Sequence, residues 1–386
     1  TADSLGVGNM VQVMTLLHFQ RSGHQPIALV GGATGMVGDP SGKSQERNLL
    51  DVDQLLHNQT CQQKQLEKFL DFNCGANSAQ IVNNYDWFKN MNLLEFIRDT
   101  GKYITVNYML AKDSVQNRLE NGMSFTEFTY QLIQGYDFYW LNANQGVKLQ
   151  MGGSDQWGNI TTGTELIRKK SGGEAFALTT QLIKKADGTK FGKTEGGNIW
   201  LDKNRTSPFK FYQFWLNASD ADVANYIRIF SLKEKEELEA MEKEHMAEPH
   251  LRKLQRALAE EITTRVHSSD DLKRAQETTD ILFGSSFDDF KRLEGKEIED
   301  AFDADATFKV ERSLFGADVD PVGLLGEQTK IYPSKGEARK AIQGNAVSVN
   351  KAKIGMDNKL NASQLLYDKY LLVQKGKKNY YLVIVE

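Results

Sequence analysis

The stretch Leu149 to Asn159, LQMGGSDQWGN, sets two glycines, a carboxylate and an amide side by side, a set suited to holding a polar ligand. It reads as strand, turn and helix. Val147 to Met151 is short and apolar, Gly152-Gly153 interrupts it, and Ile160, Leu166 and Ile167 return to helical spacing. In an open parallel sheet ligands bind beyond the carboxyl ends of the strands, which puts Gly153, Asp155 and Gln156 at the mouth of such a site. Glycine lets a ligand approach the backbone, and a carboxylate two residues on suits a ribose hydroxyl. The same string also reads as an ordinary surface loop.

Two further glycine-punctuated stretches carry charge. KKADGTKFGKT sets Lys190, Lys193 and Thr194 around Gly192, a mobile cationic clamp for a charge that develops and departs. GGATGMVGDPSGK follows the buried strand Ile27 to Gly31 and has three readings. A Walker loop needs four residues where Gly38 and Gly42 enclose three. The Gly32-x-x-Gly35-x-x-Gly38 spacing of short-chain dehydrogenases, with Tyr108 and Lys112 as a Tyr-x-x-x-Lys pair, needs its last glycine inside the opening turns of a helix, and Pro40 opposes that. The third reading anchors a zwitterion and a triphosphate: Asp39 takes an ammonium, while Lys43 and Arg47, four apart, face phosphate. A solvated basic turn is the plain alternative.

These groups need elements to position them. Met10, Val13, Met14 and Leu17 recur at helical spacing behind Asn9 as N-cap, and Gly23 ends the run. A polar helix spans Gln54 to Phe69, and Ile81 to Asn84 is strand-like. Ser124-x-x-Glu127 is a capping box opening a helix on which Tyr130, Gln134 and Asp137 share one face. Polar groups on that stripe are costly to bury without partners. Ser207-Pro208 starts another helix, Ser231-x-x-Glu234 reads as a capping box, and Leu251, Leu254, Leu258, Ile262 and Val266 mark a buried helical face. The segment Gly316 to Pro321 reads as a boundary. Beyond it come a basic helix from Ser334 and strands at Ala346 to Asn350, Leu371 to Val373 and Tyr380 to Val385.

With 386 residues the chain has room for two or three domains. It opens on Thr1 and is read as a trimmed or partly ordered product. No apolar run approaches a bilayer span of about 18 residues. Cys61 and Cys74 are too few for a disulfide framework, which suits a reducing, cytoplasmic setting. His245 and His250 read as a solvated helical face, so no protein-held metal is expected. The net charge of −4 hides an asymmetry: from Ile331 onward ten lysines and arginines stand against four acidic residues. Such a split often marks an anion- or nucleic-acid-binding appendage on a larger body.

Together these strings resemble the bacterial tyrosyl-tRNA synthetases, a class I aminoacyl-tRNA synthetase family. GGATGMVGDPSGK, NNYDW, FTEFTYQLIQGYD, LQMGGSDQWGN and KFGKT stand in that family's order and spacing, and the likeness covers essentially the whole chain. Gly6-Val-Gly8-Asn9 is similar to the other family signature, His-x-Gly-His, with Gly6 and Asn9 where histidines are usual. The resemblance implies an α/β fold: a Rossmann-like doubly wound parallel-sheet catalytic domain over 1–217, an α-helical tRNA-binding domain over 218–319 and a small α+β S4-like RNA-binding domain over 320–386. It implies that Asp39, Tyr130 and Gln134 hold the ammonium of L-tyrosine, that Asn84 and Gln150 shape the pocket, and that Asp137 accepts from the phenol. ATP would meet Gly8, Asn9, Gly153, Asp155 and Gln156, and its pyrophosphate Lys43, Arg47, Lys190, Lys193 and Thr194. Thr1, Lys43, Arg47 and the lysine loop would compensate for Gly6. Mg2+ arriving with ATP, tRNA(Tyr) as partner and a homodimer with Phe125 at its interface are likewise implied. A catalytically silent relative that binds RNA or tyrosine is the rival class, motivated by Gly6 and Asn9.

Overall fold

The structure, a computed structural model, describes residues 2–41, 52–119, 122–194, 197–284, 286–302, 304–376 and 379–386. Two compact units form. The first comprises residues 1–193, 198–205 and 218–266, the second residues 194–197, 206–217 and 267–386.

In the first unit, α1 (Met10–Arg21) buries Met10, Val13, Met14 and Leu17, the face expected from their spacing. Asn9 precedes it without a capping bond from its side chain, which instead accepts from the Gly6 N–H at 3.0 Å. There follow β1 (Ile27–Val30), α2 (Gly32–Val37), α3 (Val52–Leu66) and β2 (Gln80–Asn83). β1 and β2 pair in parallel, Ile27 opposite Gln80 and Val30 opposite Asn83. After α4 (Asp113–Leu119) and α5 (Phe125–Gln145), β3 (Leu149–Gly153) leads into α6 (Trp157–Ser171) and β4 (Phe176–Thr180). β3 and β4 are also parallel, Leu149 opposite Phe176 and Gly153 opposite Thr180. The parallel sheet expected from the sequence is thus present, among the described residues, as two parallel pairs joined by helical crossovers.

Small residues set how closely α5 and α6 meet. A Cβ on Gly163 would stand 2.7 Å from Phe138 Cβ, and one on Gly135 would stand 3.2 Å from the Gly163 nitrogen. Hydrogen at Gly163 is required for this approach and at Gly135 it spares a tight contact, and the approach brings Gln134 and Asn159 of the two helices together.

The start of α5 is held by a buried ion pair. Ser124 Oγ accepts from the Glu127 N–H at 3.2 Å, half of the expected capping box, but the Glu127 carboxylate turns to Arg118 of α4 at 2.7 Å. The two side chains are 7% and 3% exposed. Arg118→Ala strands a carboxylate in the interior, so unfolding stability is expected to fall by about 3–5 kcal/mol. Urea denaturation of both proteins measures this, and a loss below about 1 kcal/mol would mean that solvent already reaches the pair.

The unit closes with α7 (Asp220–Phe230) and α8 (Lys253–Val266), whose Leu254, Leu258, Ile262 and Val266 are all buried. Three local expectations are corrected here. Leu251, expected on the buried face, is exposed in a short 3-10 turn ahead of α8. The helix after α7 opens at Lys235 with Glu234 as N-cap, because the Ser231 hydroxyl donates to Glu261 at 2.6 Å rather than capping. His245 is buried, with Nε2 3.1 Å from Asp220 Oδ1, and not on a solvated face.

In the second unit, Ser207 caps the helix Pro208–Leu216 as expected, and α9 (Ser269–Phe283) follows. A five-stranded sheet is built from β5 (Thr307–Val310), β6 (Val347–Val349), β7 (Ala352–Lys353), β8 (Tyr370–Lys375) and β9 (Asn379–Val385), in the order β5-β9-β8-β6-β7. β5 runs parallel to β9 and the other pairs are antiparallel. The sheet is covered on both faces, as the alternation along β8 shows. Leu371 and Val373 join a core with Ala338 and Ile342 of α10 (Lys335–Gln343), while Tyr370 and Leu372 join one with Ile281 and Leu282 of α9. β5 lies before Asp320, so the sheet draws its parallel edge from upstream of the residue at which the C-terminal module was expected to begin. Among the described residues no helix is long and apolar enough to cross a membrane.

Candidate active site

The carboxyl ends of β1, β2 and β3 carry the polar residues singled out from the sequence. β1 runs through Gly31 into α2, and a Cβ on Gly32 would meet Asn83 Oδ1 at 2.2 Å, so glycine is required where the strands turn. α2 ends at Gly38, φ +86. That glycine terminates a helix where a dehydrogenase fingerprint needs it to open one. Tyr108 and Lys112 are structural: the Tyr108 hydroxyl donates to the Thr161 carbonyl, and Lys112 Nζ donates to Tyr108 and to Thr161 Oγ1 at 2.8 and 3.1 Å.

One polar track begins at Asp137, which is 1% exposed on α5. Asn84, fully buried after β2, donates to Oδ2 at 3.0 Å, and the Trp87 indole donates to Oδ1 at 2.9 Å. Asn84 is itself fixed, its Nδ2 3.0 Å from Thr34 Oγ1 and its carbonyl accepting from the Ala33 N–H at 2.7 Å. Trp87 stacks on Trp140 with ring centroids 4.4 Å apart. Burial pushes the Asp137 carboxyl up to about 7, against the pull of Asn84 and Trp87. Tyr130 and Gln134 precede Asp137 on the same helical face, Tyr130 buried and Gln134 half-buried.

The other end of the track is Asp39. Its Oδ2 accepts from Gln156 Nε2 at 2.7 Å and its Oδ1 from the Ser41 N–H at 2.9 Å. Asn159 joins Asp39 to Gln134, which lies one turn before Asp137 on α5, its Nδ2 3.0 Å from Gln134 Oε1 and 3.5 Å from Asp39 Oδ1. Asp155 sits beside Gly153, at which a Cβ would lie 2.6 Å from the Asp155 carboxylate. On β3 the Gln150 side-chain oxygen is buried with no hydrogen-bond partner among the described residues, an unsatisfied acceptor.

The two signature segments are brought together by backbone. Val7 N–H donates to the Ile199 carbonyl and Ile199 N–H to the Gly192 carbonyl, each at 3.0 Å. Gly192 has φ +77, and a Cβ there would stand 2.7 Å from Val7 Cγ2. Phe191 is buried, stacked on Phe230 at 5.7 Å and tilted against Tyr226 at 4.9 Å, both on α7, which leaves Lys190 and Lys193 exposed on either side. Gly8 and Asn9 are exposed at the start of α1, and nothing lies within 4 Å of a Cβ on Gly8. Beside Ser154 a cleft of about 980 Å³ opens between α1, the segment Thr180–Lys184 and α7. Thr1, Lys43 and Arg47 lie outside the described residues, as does the Thr194 side chain.

Sequence reasoning missed Asn159, Trp87 and Thr34. Trp87 stands in the quoted NNYDW and Asn159 closes LQMGGSDQWGN, so the strings contained both. Nothing in the spacing said that an indole would reach a carboxylate fifty residues on.

The family model described as tRNA synthetases class I (W and Y) matches residues 1–284, and the tyrosine–tRNA ligase SYY-like C-terminal domain matches residues 297–383. The tyrosine–tRNA ligase of Cytophaga hutchinsonii is 58% identical over 386 aligned residues, covering 99% of this chain and 90% of that protein. The chain belongs to the class I tyrosine–tRNA ligases. The tyrosine–tRNA ligase of Flavobacterium johnsoniae is 54% identical, covering 100% of this chain and 91% of that one. Among solved structures, the C-terminally truncated mitochondrial tyrosyl-tRNA synthetase of Aspergillus nidulans superposes with a TM-score of 0.66 at 31% identity, over 73% of this chain and 83% of that one. The expected Rossmann-like catalytic fold is that of these relatives.

Proposed function

We propose that the polar track from Asp137 to Asp39 is the tyrosine site of this ligase. The enzyme activates L-tyrosine with ATP, releases pyrophosphate and transfers the tyrosyl group to tRNA. The observation that carries the assignment is a pair of carboxylates in two hydrogen-bonded clusters that meet along one face of α5, where Gln134 precedes Asp137 by one turn. Asp137 lies buried between two neutral donors, ready to accept from a phenol, while Asp39 stands beyond Gln134 and Asn159, where an ammonium would sit. Tyr130 and Gln134 complete the ammonium contacts, and the unpartnered Gln150 oxygen faces the same ligand.

Gly153 and Asp155 hold the ribose, Gln156 the α-phosphate, and Gly8 and Asn9 lie along the nucleotide. The adenine takes the cleft beside Ser154. The tyrosine carboxylate attacks the α-phosphorus, the bond to the bridging oxygen breaks, and pyrophosphate leaves in line. Lys190, Lys193, Thr194, Lys43, Arg47 and Thr1 stabilise the charge that grows on it. In the second step a terminal ribose hydroxyl of tRNA(Tyr) attacks the tyrosyl carbonyl and AMP departs. Mg2+ would arrive with ATP and would add positive charge against the leaving pyrophosphate.

The catalytic role belongs to residues 1–217, with tRNA contacts on the helical region 218–319 and the S4-like module 320–386. Exposed Arg339 and Lys340 on α10, with exposed Lys353 and Lys359, support the last assignment. A homodimer through Phe125 fits the exposure of that ring, 78% at the start of α5. Two unpaired cysteines support a cytoplasmic location.

Tyrosine-dependent exchange of pyrophosphate into ATP tests the chemistry, and its absence would favour the silent-relative reading. On the same protein, Arg339→Ala with Lys340→Ala should leave exchange intact. It should also flatten the log-log salt dependence of tRNA binding by about 0.7 to 0.9 per lost phosphate contact. An unchanged slope would place the RNA contacts elsewhere.

A further inference from the structure

We infer that Asn159 is a positioning residue for tyrosine activation, the joint that sets the orientation of Gln134, Gln156 and Asp39 before either substrate arrives. This rests on the tyrosine reading of the track. Asn159 is 2% exposed, in the first turn of α6, and asparagine is a modest helix former there, so propensity does not explain it. Its Nδ2 lies 3.0 Å from Gln134 Oε1, 3.3 Å from Gln156 Oε1, 3.3 Å from Ser41 Oγ and 3.5 Å from Asp39 Oδ1. A carboxamide nitrogen has two hydrogens for these four acceptors.

Each of those contacts decides which way a neighbouring amide faces. Gln134 presents its carbonyl oxygen to Asn159, which fixes the rotamer in which that oxygen's second lone pair is available to an ammonium. Gln156 likewise presents its carbonyl to Asn159, and this turns its Nε2 onto Asp39 Oδ2 at 2.7 Å. An arriving ammonium competes for that carboxylate. As Asp39 takes the ammonium, the Gln156 amide is released with its N–H groups directed away from Asn159, oriented to donate to phosphate. Asn159 touches no reacting atom, and its effect runs entirely through the side chains it holds. It reaches Gln134 because Gly135 and Gly163 let α5 and α6 meet so closely.

The test compares Asn159→Ala and Asn159→Asp with the wild type by equilibrium tyrosine binding, ATP binding and single-turnover adenylate formation, each normalised to folded protein. Loss of one oriented buried amide should weaken tyrosine binding about tenfold and slow adenylation about tenfold in the alanine variant. ATP affinity should move less than about twofold. Asn159→Asp preserves shape but sets oxygen against the Gln134, Gln156 and Asp39 oxygens, so both losses should exceed those of alanine. An aspartate variant at wild-type values would show that Asn159 only fills space, and the proposal would fall. Variants that are less stable but fully active per folded molecule would overturn it too. The tyrosine reading is judged separately, by wild-type exchange: its absence would remove that reading and this proposal together, whereas normal exchange with unaffected variants removes only the role of Asn159.

Discussion

Asp137→Ala is expected to cut the preference for tyrosine over phenylalanine, measured as the ratio of kcat/KM in pyrophosphate exchange, by at least about 10². Rejection of phenylalanine by about 10⁵ is a known property of tyrosyl-tRNA synthetases as a family and sets the scale at stake. A buried site built to hydrogen-bond a hydroxyl is left with unpaired groups when the hydroxyl is missing, and Asp137 is the carboxylate that Asn84 and Trp87 hold in place. The wild-type ratio should also depend on pH. Burial raises the Asp137 carboxyl to about 7, so the charged acceptor forms as pH rises through that value, and discrimination should grow between pH 6 and 8. For the free protein the sign is opposite. A carboxyl whose folded value lies above its unfolded one stabilises at low pH, and that contribution is lost as pH rises through about 7. Asp137→Asn should be flat over the same range. A discrimination ratio unmoved by the alanine variant would take the phenol away from Asp137.

Lys193→Ala should slow adenylate formation by about 10² to 10³ while tyrosine affinity changes less than about twofold, the pattern of a contact made mainly in the transition state. Lys193 is exposed next to Gly192, whose carbonyl is tied to Ile199, and Phe191 anchors the loop in the α7 aromatic cluster. Gly192→Ala probes the same device by another route. It is strained at φ +77, and its methyl would drive Val7 from the loop, so it should slow adenylation with little effect on tyrosine binding. Stopped-flow adenylation with equilibrium tyrosine binding separates the two quantities. A large loss of tyrosine affinity with normal adenylation would mean that the loop serves the ground state only.

Local grammar made much of the molecule legible beforehand. Met10, Val13, Met14 and Leu17 could form only an amphipathic helix, and α1 buries them. Ser207-Pro208 and Ser124 open helices because a hydroxyl N-cap and a proline at the first position are intrinsically suited to it. The strand-glycine-helix strings placed polar residues at strand ends, where parallel sheets bind ligands. The same grammar erred where a side chain had a better distant partner. Ser231 left its capping role for Glu261, Glu127 left the box for Arg118, and His245 turned inward to Asp220. Each choice depends on what another segment brings into reach, and no window of sequence contains that segment.

The polar residues around Asp137 and Asp39 show the division most clearly. Sequence by itself determined that Tyr130, Gln134 and Asp137 share a face and that Gly153, Asp155 and Gln156 sit at a strand end, because helical and strand periods are local properties of the backbone; Asp39, expected at the end of β1, instead follows α2. Only the tertiary structure decided that Asn84 and Trp87 meet Asp137, that Asn159 joins Gln134 to Asp39, and that Val7 packs on the glycine of the lysine loop. The raised Asp137 carboxyl belongs to the same class. Its ionisation depends on desolvation by elements far apart in sequence, which exists only once the chain has packed.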